Sequence, residues 1–352
     1  MQNRLHYFAI RLLLVGVSFL GIVLVCFLFT NIVPGGPMEQ YLARMQATGG
    51  EVTAGGSEFA SSQMSEEQLE EIAKIFGYDQ PLHIRFWRWL VRDRMGMQAY
   101  STQFTNKRSW ELISERFPVS LSFGIPSLIL TYLICIPLGI AKALRNGKPF
   151  DLVSSFVVFT LYAIPSFAFG MVLRMLFSGT VEHFWDIFPL SGHRSSPEIW
   201  EGLNSWEKVK DQAWHMFLPL LCYVINNFAV MTLLMKNSLL EQINQDYVRT
   251  VLAKGGTMKR AVWRHAVRNA LIPLATGIGG ILTVMFAGSV LIEQIFDIQG
   301  LGTLSYGALV GRDYPLFLAI IAVQSIIGLL GLVLSDFCYV LIDPRIHFGG
   351  DR

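Results

Sequence analysis

Six stretches of this chain contain no Asp, Glu, Lys or Arg: 12–33, 117–141, 152–173, 212–235, 269–292 and 314–335. Each matches the roughly 20 residues of helix that cross about 30 Å of hydrocarbon. The chain is 52% hydrophobic and 15% charged over 352 residues, and its apolar residues are gathered into these runs rather than scattered as in a soluble core. Strands of a membrane barrel would show runs of about ten residues alternating apolar and polar, a pattern the segments lack. The expected fold is therefore an all-α integral membrane protein of six transmembrane helices.

Charge between the runs orients them, because short cytoplasmic loops carry the Lys and Arg excess. Arg4 and Arg11 precede the first run, and Lys142, Arg145 and Lys148 follow the second. Between Lys236 and Arg268 seven basic residues stand against Glu241 and Asp246. The loops at 180–211 and 293–313 are acid-rich. Both termini are expected in the cytoplasm, with 34–116 and the insert at 181–211 outside. No small-x-small cleavage site closes the first run, so 1–33 is expected to be a short cytoplasmic start and an uncleaved first span. Cys26, Cys135, Cys222 and Cys338 are far apart and suggest neither disulfides nor metal. The net charge of +2 gives no reason to expect a nucleic-acid partner.

The outside segment 34–116 divides by composition. Glycine pairs at 49–50 and 55–56 predict a flexible stretch over 47–63, and Ser65 with Gln68 predicts a capped helix over 66–76. From Leu82 to Val91, Phe86, Trp87, Trp89 and Leu90 alternate with Arg85, Arg88 and Arg92. That amphipathic stretch fits either the outer membrane surface or the core of a small extracytoplasmic cap. Trp185, Trp200 and Trp206 in the second insert fit an entrance to a central path or interfacial anchoring. Pro126, Pro137, Pro165 and Pro219 predict interruptions of the spans, and Gly277, Gly279 and Gly280 predict close helix contacts. Ser166, Asn226, Asn227, Thr283 and Gln324 place polar side chains at membrane depth, where they must face protein or water; the first four are the candidates to line a path. Arg174 is expected to snorkel from the outer end of the third run.

No phosphate-cradling G-x-x-x-x-G-K-[ST] loop is present, nor an H-E-x-x-H pair or a G-x-S-x-G elbow. Neither ATP hydrolysis nor an intramembrane hydrolase is supported by a set of residues. The distinctive segment is the basic loop over 243–272. Asp246-Tyr247-Val248-Arg249-Thr250-Val251-Leu252-Ala253-Lys254-Gly255 predicts a helix ending in a glycine turn, and Arg264-His265-Ala266-Val267-Arg268 a second helix after it. Val248, Val251 and Leu252 fall on one helical face, giving an apolar knob suited to a groove on another protein, while the loop's basic charge alone would suit anionic lipid.

This loop resembles the EAA coupling loop of ABC importer permeases, in the oligopeptide and dipeptide branch. Glu293-Gln294-Ile295-Phe296 with Gly300-Leu301-Gly302, then Arg312-Asp313-Tyr314-Pro315 and Asp343-Pro344-Arg345-Ile346, are similar to further stretches of those permeases in the same order. Pro34-Gly35-Gly36-Pro37 and Ile136-Pro137-Leu138-Gly139 also fit, and 34–116 with 181–211 is most similar to Yej-type B permeases. Where the family has Glu-Ala-Ala, this chain has Arg249-Thr250-Val251, and the oligopeptide branch commonly carries Arg-Thr-Ala there. The resemblance implies a type I importer architecture, with a five-helix permease core in 117–352. It implies ATPase coupling through Asp246, Tyr247, Val248, Arg249, Thr250, Ala253, Lys254 and Gly255, with no catalytic residue, metal or cofactor on this chain. It further implies a second homologous permease, ATPase subunits holding ATP and Mg, and an extracytoplasmic peptide-binding protein in a bacterial inner membrane, moving peptides or microcin C-like conjugates. A different class of reading, an ion-coupled carrier, would use Glu293 and Asp336 as membrane-edge carboxylates; both sit at span ends, where helix-end hydrogen bonding is the plainer role.

Overall fold

The computed structural model describes residues 2–32, 80–104, 106–179, 185–275, 277–278 and 289–342. Thr283, Gly279, Gly280, the 47–63 and 66–76 expectations, and the motifs at 34–37 and 343–346 lie outside them. The described residues form helices, with no strand beyond two isolated bridges, Tyr100 to Arg108 and Ser178 to Asp186. Among them, three helices are long and apolar enough to cross a membrane, and up to five if each of two bent pairs counts as one span. The fifth predicted span, 269–292, is described only in part, since 276 and 279–288 lie outside the described residues. The chain groups into two units. One is built on Arg116–Thr303 with Met1–Val15 and Ile326–Arg352, the other on Gly16–Glu115 with Leu304–Ser325.

The smaller unit takes in the second half of helix α1 (Gln2–Ile32) and the short helix α2 (Leu82–Trp87), which continues as a wider π turn over Arg88–Arg92. Val23 and Phe27 pack with Trp89, Leu318 and Ala322, flanked by Phe86 and Leu90. Phe27 meets Phe86 edge-on at 5.4 Å, and Phe86 stacks on Trp89 at 6.1 Å. The other face of the same stretch leaves Leu82, Trp87 and Val91 46%, 63% and 59% exposed. One face of this stretch is therefore packed core, and the opposite face exposes apolar side chains.

Asp313 locks the same unit. Its buried carboxylate accepts the Ser101 hydroxyl, the Thr102 and Gln103 backbone N–H groups at 3.1 and 3.2 Å, and the Leu316 N–H at 3.3 Å. It thereby caps a long helix beginning at Tyr314 and ties down the 101–104 loop. Such a carboxylate is stable in the interior only because donors surround it.

The larger unit is organised around α3 (Ser109–Leu144), α4 (Pro149–Ala163), α5 (Ser166–Phe177) and, after a short α6 (Pro197–Gly202), the long α7 (Ser205–Ile243). The expected interruptions at Pro126 and Pro137 are corrected: these prolines, with Pro118, lie inside the continuous α3, while Pro219 lies within α7. Neighbouring helices and local adjustment accommodate the freed carbonyls of such prolines. Only Pro165 breaks the chain. Ile164 before it is extended, as a residue preceding proline prefers, and α4 and α5 meet at 96°, so the third predicted span is no single rod. The two parts of α7, Ser205–Ile225 and Asn227–Ile243, also bend by 51°. A capping box starts α7: Asn204 Oδ1 accepts the Trp206 and Glu207 N–H groups, and Glu207 accepts the Asn204 N–H at 2.9 Å.

Candidate functional site

The loop after α7 is a compact structure. Helix α8 (Asp246–Ala253) is followed by a turn at Lys254 to Gly256, and Thr257 caps the next helix by accepting the Arg260 N–H. That helix runs as α9 (Met258–Ala261), a π turn (Val262–Ala266) and α10 (Val267–Ala270). Val262, Ala266, Ala270 and Leu274, four residues apart, form one buried stripe against Ile140 and Ala143 of α3 and Met235 and Leu239 of α7. Two fully buried alanines in that stripe let the backbones approach closely, and the Ser238 hydroxyl reaches the Ala270 carbonyl at 3.0 Å.

Gly255 has φ +78°, a left-handed conformation that glycine adopts without penalty. Its N–H donates to the Leu252 carbonyl at 3.0 Å and that of Gly256 to the Val251 carbonyl at 2.9 Å, closing α8. A Cβ on Gly256 would lie 2.7 Å from the Val251 carbonyl oxygen, so this position admits only hydrogen.

On α8 the expected apolar knob is corrected. Val248 is buried and Val251 half-buried, so that face is the one seated on the protein; of the three only Leu252 is exposed. A helical stripe identifies an apolar face, but the packing partner here is the chain's own second helix. The outward surface comprises Asp246, Arg249, Thr250, Leu252, Ala253, Lys254 and Gly255, and Met258 and Trp263 are exposed on the following helix. Trp263 and Met258 escaped sequence reasoning because they fall outside the α8 pattern. Tyr247 is half-buried, its hydroxyl donating to Gln242 Oε1 at 2.9 Å, and burial pushes its phenol pKa up. Arg249 and Asp246 pair at 3.6 Å while 78% and 96% exposed, an arrangement that contributes little.

Beneath this loop lies a cluster that the charge pattern misassigned. Lys142, expected as a loop charge, sits in the last turn of α3 with its ammonium fully buried. It reaches the Asp151 carboxylate at 3.2 Å, Ser154 Oγ at 2.9 Å and Ser155 Oγ at 2.7 Å. Lys236 of α7 donates to both Asp151 oxygens, at 2.8 and 2.7 Å. Two cations thus share one carboxylate and staple α3, α4 and α7 next to Met235 and Leu239, on which the loop rests.

The Glu293 motif also acquires a physical meaning. Helix α11 (Val290–Ile295) leads into α12 (Leu301–Val310), and the Glu293 carboxylate, 1% exposed, accepts the Gly302 and Thr303 N–H groups at 3.3 and 2.7 Å. Ser120 Oγ accepts the Leu301 N–H at 2.8 Å, so the first three amides of α12 are satisfied. A Cβ at Gly300 would lie 2.5 Å from Glu293 Oε1. Gly300→Ala is expected to cost about 1–3 kcal/mol by overpacking this seat, read as a lower thermal midpoint of the purified protein. An unchanged midpoint would mean the carboxylate is not held there. Arg174, expected to snorkel, instead donates to the Ile295 carbonyl. Asp336 pairs with Arg11 at 2.6 Å.

Of the other candidates, Ser166 is half-buried at the first residue of α5 and Asn227 half-buried at the bend of α7, on separate helices; Asn226 precedes Asn227 in α7. Buried Ser127, Thr131, Ser238 and Ser335 bond to backbone carbonyls of their own or neighbouring helices.

Apolar helices of spanning length, one pair broken at Pro165, with a helix-turn-helix seated on α3 and α7, define a multi-pass helical membrane protein. Residues 135–348 match the family described as binding-protein-dependent transport system inner membrane component. The chain is 36% identical to the inner membrane ABC transporter permease protein YejB of Escherichia coli O157:H7, across 98% of this chain and 99% of that protein. It is 37% identical to the peptidoglycan transport system permease protein YejB of Agrobacterium fabrum, across 97% and 98%, and 30% identical to the oligopeptide transport system permease protein AppB of Bacillus subtilis, across 94% and 95%. The chain belongs to this permease family, as the resemblance of its motifs implied. It is an inner-membrane permease subunit of an ABC importer.

Proposed function

We propose that this subunit forms half of a path for peptides and peptide conjugates, paired with a second related permease and fed by an extracytoplasmic peptide-binding protein. Separate ATPase subunits, holding ATP and Mg, engage the 243–272 loop and drive alternating access. The observation that carries this reading is the loop itself: one face of α8 is seated on the protein, and the other, with Met258 and Trp263, is free to be gripped. Force on that face passes through the alanine stripe to α3 and α7, then to the bends at Pro165 and in α7 that separate rigid segments. The peptide cargo follows from the relatives, whose names specify oligopeptide, dipeptide and peptidoglycan transport.

Both termini are read as cytoplasmic, a reading supported by the Arg11 to Asp336 pair between the first part of α1 and the later part of α13 (Tyr314–Ile342), the last helix among the described residues. The ion-coupled carrier is disfavoured because Glu293 is consumed in capping α12 and Asp336 in pairing with Arg11. Ser166, Asn226, Asn227 and Thr283 are retained as the candidates to line the path. The test is a single cysteine at Ala253 in the complex purified with its co-isolating subunits. Bifunctional cross-linking is expected to join this chain to the ATPase, with a yield that changes on adding ATP and Mg; labelling without any ATPase adduct would overturn the coupling role.

A further inference from the structure

In the smaller unit, α1 and α2 enclose an open groove of about 910 Å³ that the transport reading leaves unused. Its walls are Leu24, Phe27 and Leu28 of α1 and Leu82, Phe86 and Trp87 of α2, and its rim carries Arg88 and Arg92 from the π turn. Three features fix what this shape can hold. The α1 wall belongs to a helix of membrane-spanning length, 6–32, so the groove opens where lipid is the surrounding medium. The lining is mostly hydrocarbon-like, and its two arginines, Arg88 and Arg92, lie four residues apart on the π turn, a combination that suits a lipid with an acyl chain against the walls and a phosphate on the cations. The Arg88 guanidinium is positioned by a hydrogen bond from Nη2 to Gln80 Oε1 at 3.1 Å, which uses one of its five donors and leaves the fork available for a phosphate. Asp93 beside these arginines supplies one negative charge against two, so the rim stays cationic.

We propose that the groove is a site for an anionic phospholipid of the bilayer, with an acyl chain laid between α1 and α2 and its phosphate held by Arg88 and Arg92. Bound there, the lipid would cover the exposed apolar line of Leu82 and Trp87 and fix α2 at the interface, as an anchor for the extracytoplasmic segment of which α2 is part.

The test uses the full chain with its co-purifying subunits, reconstituted in phosphatidylcholine containing a minor fraction of phosphatidylglycerol whose acyl chains are brominated. Bromine quenches tryptophan fluorescence on contact, and the Trp87 signal is taken as the difference between wild type and Trp87→Phe. Quenching at Trp87 is expected to be stronger with brominated phosphatidylglycerol than with brominated phosphatidylcholine at the same fraction. Each arginine removed is expected to reduce that preference roughly fivefold, corresponding to ~1 kcal/mol per interfacial cation, so Arg88→Gln with Arg92→Gln should abolish it. Arg88→Lys with Arg92→Lys keeps the charge and should retain part of it. Equal quenching by the two lipids in the wild type overturns the headgroup assignment. Absence of quenching by either lipid would mean that protein, from this chain or a neighbouring subunit, fills the groove, and would overturn the proposal outright.

Discussion

Replacing Asp151 with alanine is expected to destabilise the protein by about 2–3 kcal/mol, because the Lys142 and Lys236 ammonium groups lose the carboxylate they share. Side chains shield the cluster from solvent, and rearrangement that lets water reach the lysines relieves some of the penalty of an unpaired buried charge. Thermal unfolding of the purified chain in detergent reads the loss as a lower midpoint. The informative comparison is Asp151→Ala combined with Lys142→Met and Lys236→Met. Removing all three charges should recover most of the stability, since well-packed apolar side chains can replace a buried ion cluster at little cost. If the single variant loses nothing, both lysines find water by extension of their stems and the staple is not formed. Loss of the staple should also reduce transport, because α3, α4 and α7 are joined directly beneath the loop.

That cluster marks where sequence reasoning reaches its limit. Lys142 stands at the end of an apolar run, and every rule for charges flanking a span places it in water; its partners, Asp151, Ser154 and Ser155, stand on the next helix, and the second cation on that carboxylate, Lys236, comes from α7, a meeting no local pattern announces. The first, second and last predicted spans were legible as single helices, because hydrocarbon thickness imposes a length that composition must satisfy. The proline effects were legible only in kind. Pro137 and Pro165 present the same chemistry, but the residue before Pro165 is extended and the chain turns 96°, whereas α3 carries three prolines through a continuous helix. Packing decides between these outcomes. The Glu293 motif was recognisable as a pattern, yet its cause, a carboxylate facing backbone amides with no room for a Cβ at Gly300, exists only once residues 293 and 300–303 meet in space. On α8 the periodicity established an apolar face without establishing which way it turned, and Val248 proved to be part of the seat.

Gly255→Val is expected to reduce peptide uptake by at least roughly tenfold, the equivalent of ~1.4 kcal/mol of lost coupling, while the chain still inserts and assembles. A β-branched residue at φ +78° costs of order 1–3 kcal/mol, and the turn cannot shift the strain to the next residue, where the Val251 carbonyl leaves room only for hydrogen. A Cβ on Gly255 itself meets nothing within 4 Å, so the damage is to the angle between α8 and α9 rather than to any packed core. Global stability should therefore change little, and the thermal midpoint separates this variant from Asp151→Ala, which is expected to lose both stability and transport. Gly255→Asn supplies the decisive comparison, because asparagine tolerates the left-handed region and should keep much of the uptake and of the substrate-stimulated ATPase activity of the assembled complex. If Asn and Val are equally inactive, side-chain bulk at a docking surface is responsible and the turn geometry is not. Normal uptake in Gly255→Val would remove α8 from the coupling path, and the exposed face it shares with Met258 and Trp263 would need another partner.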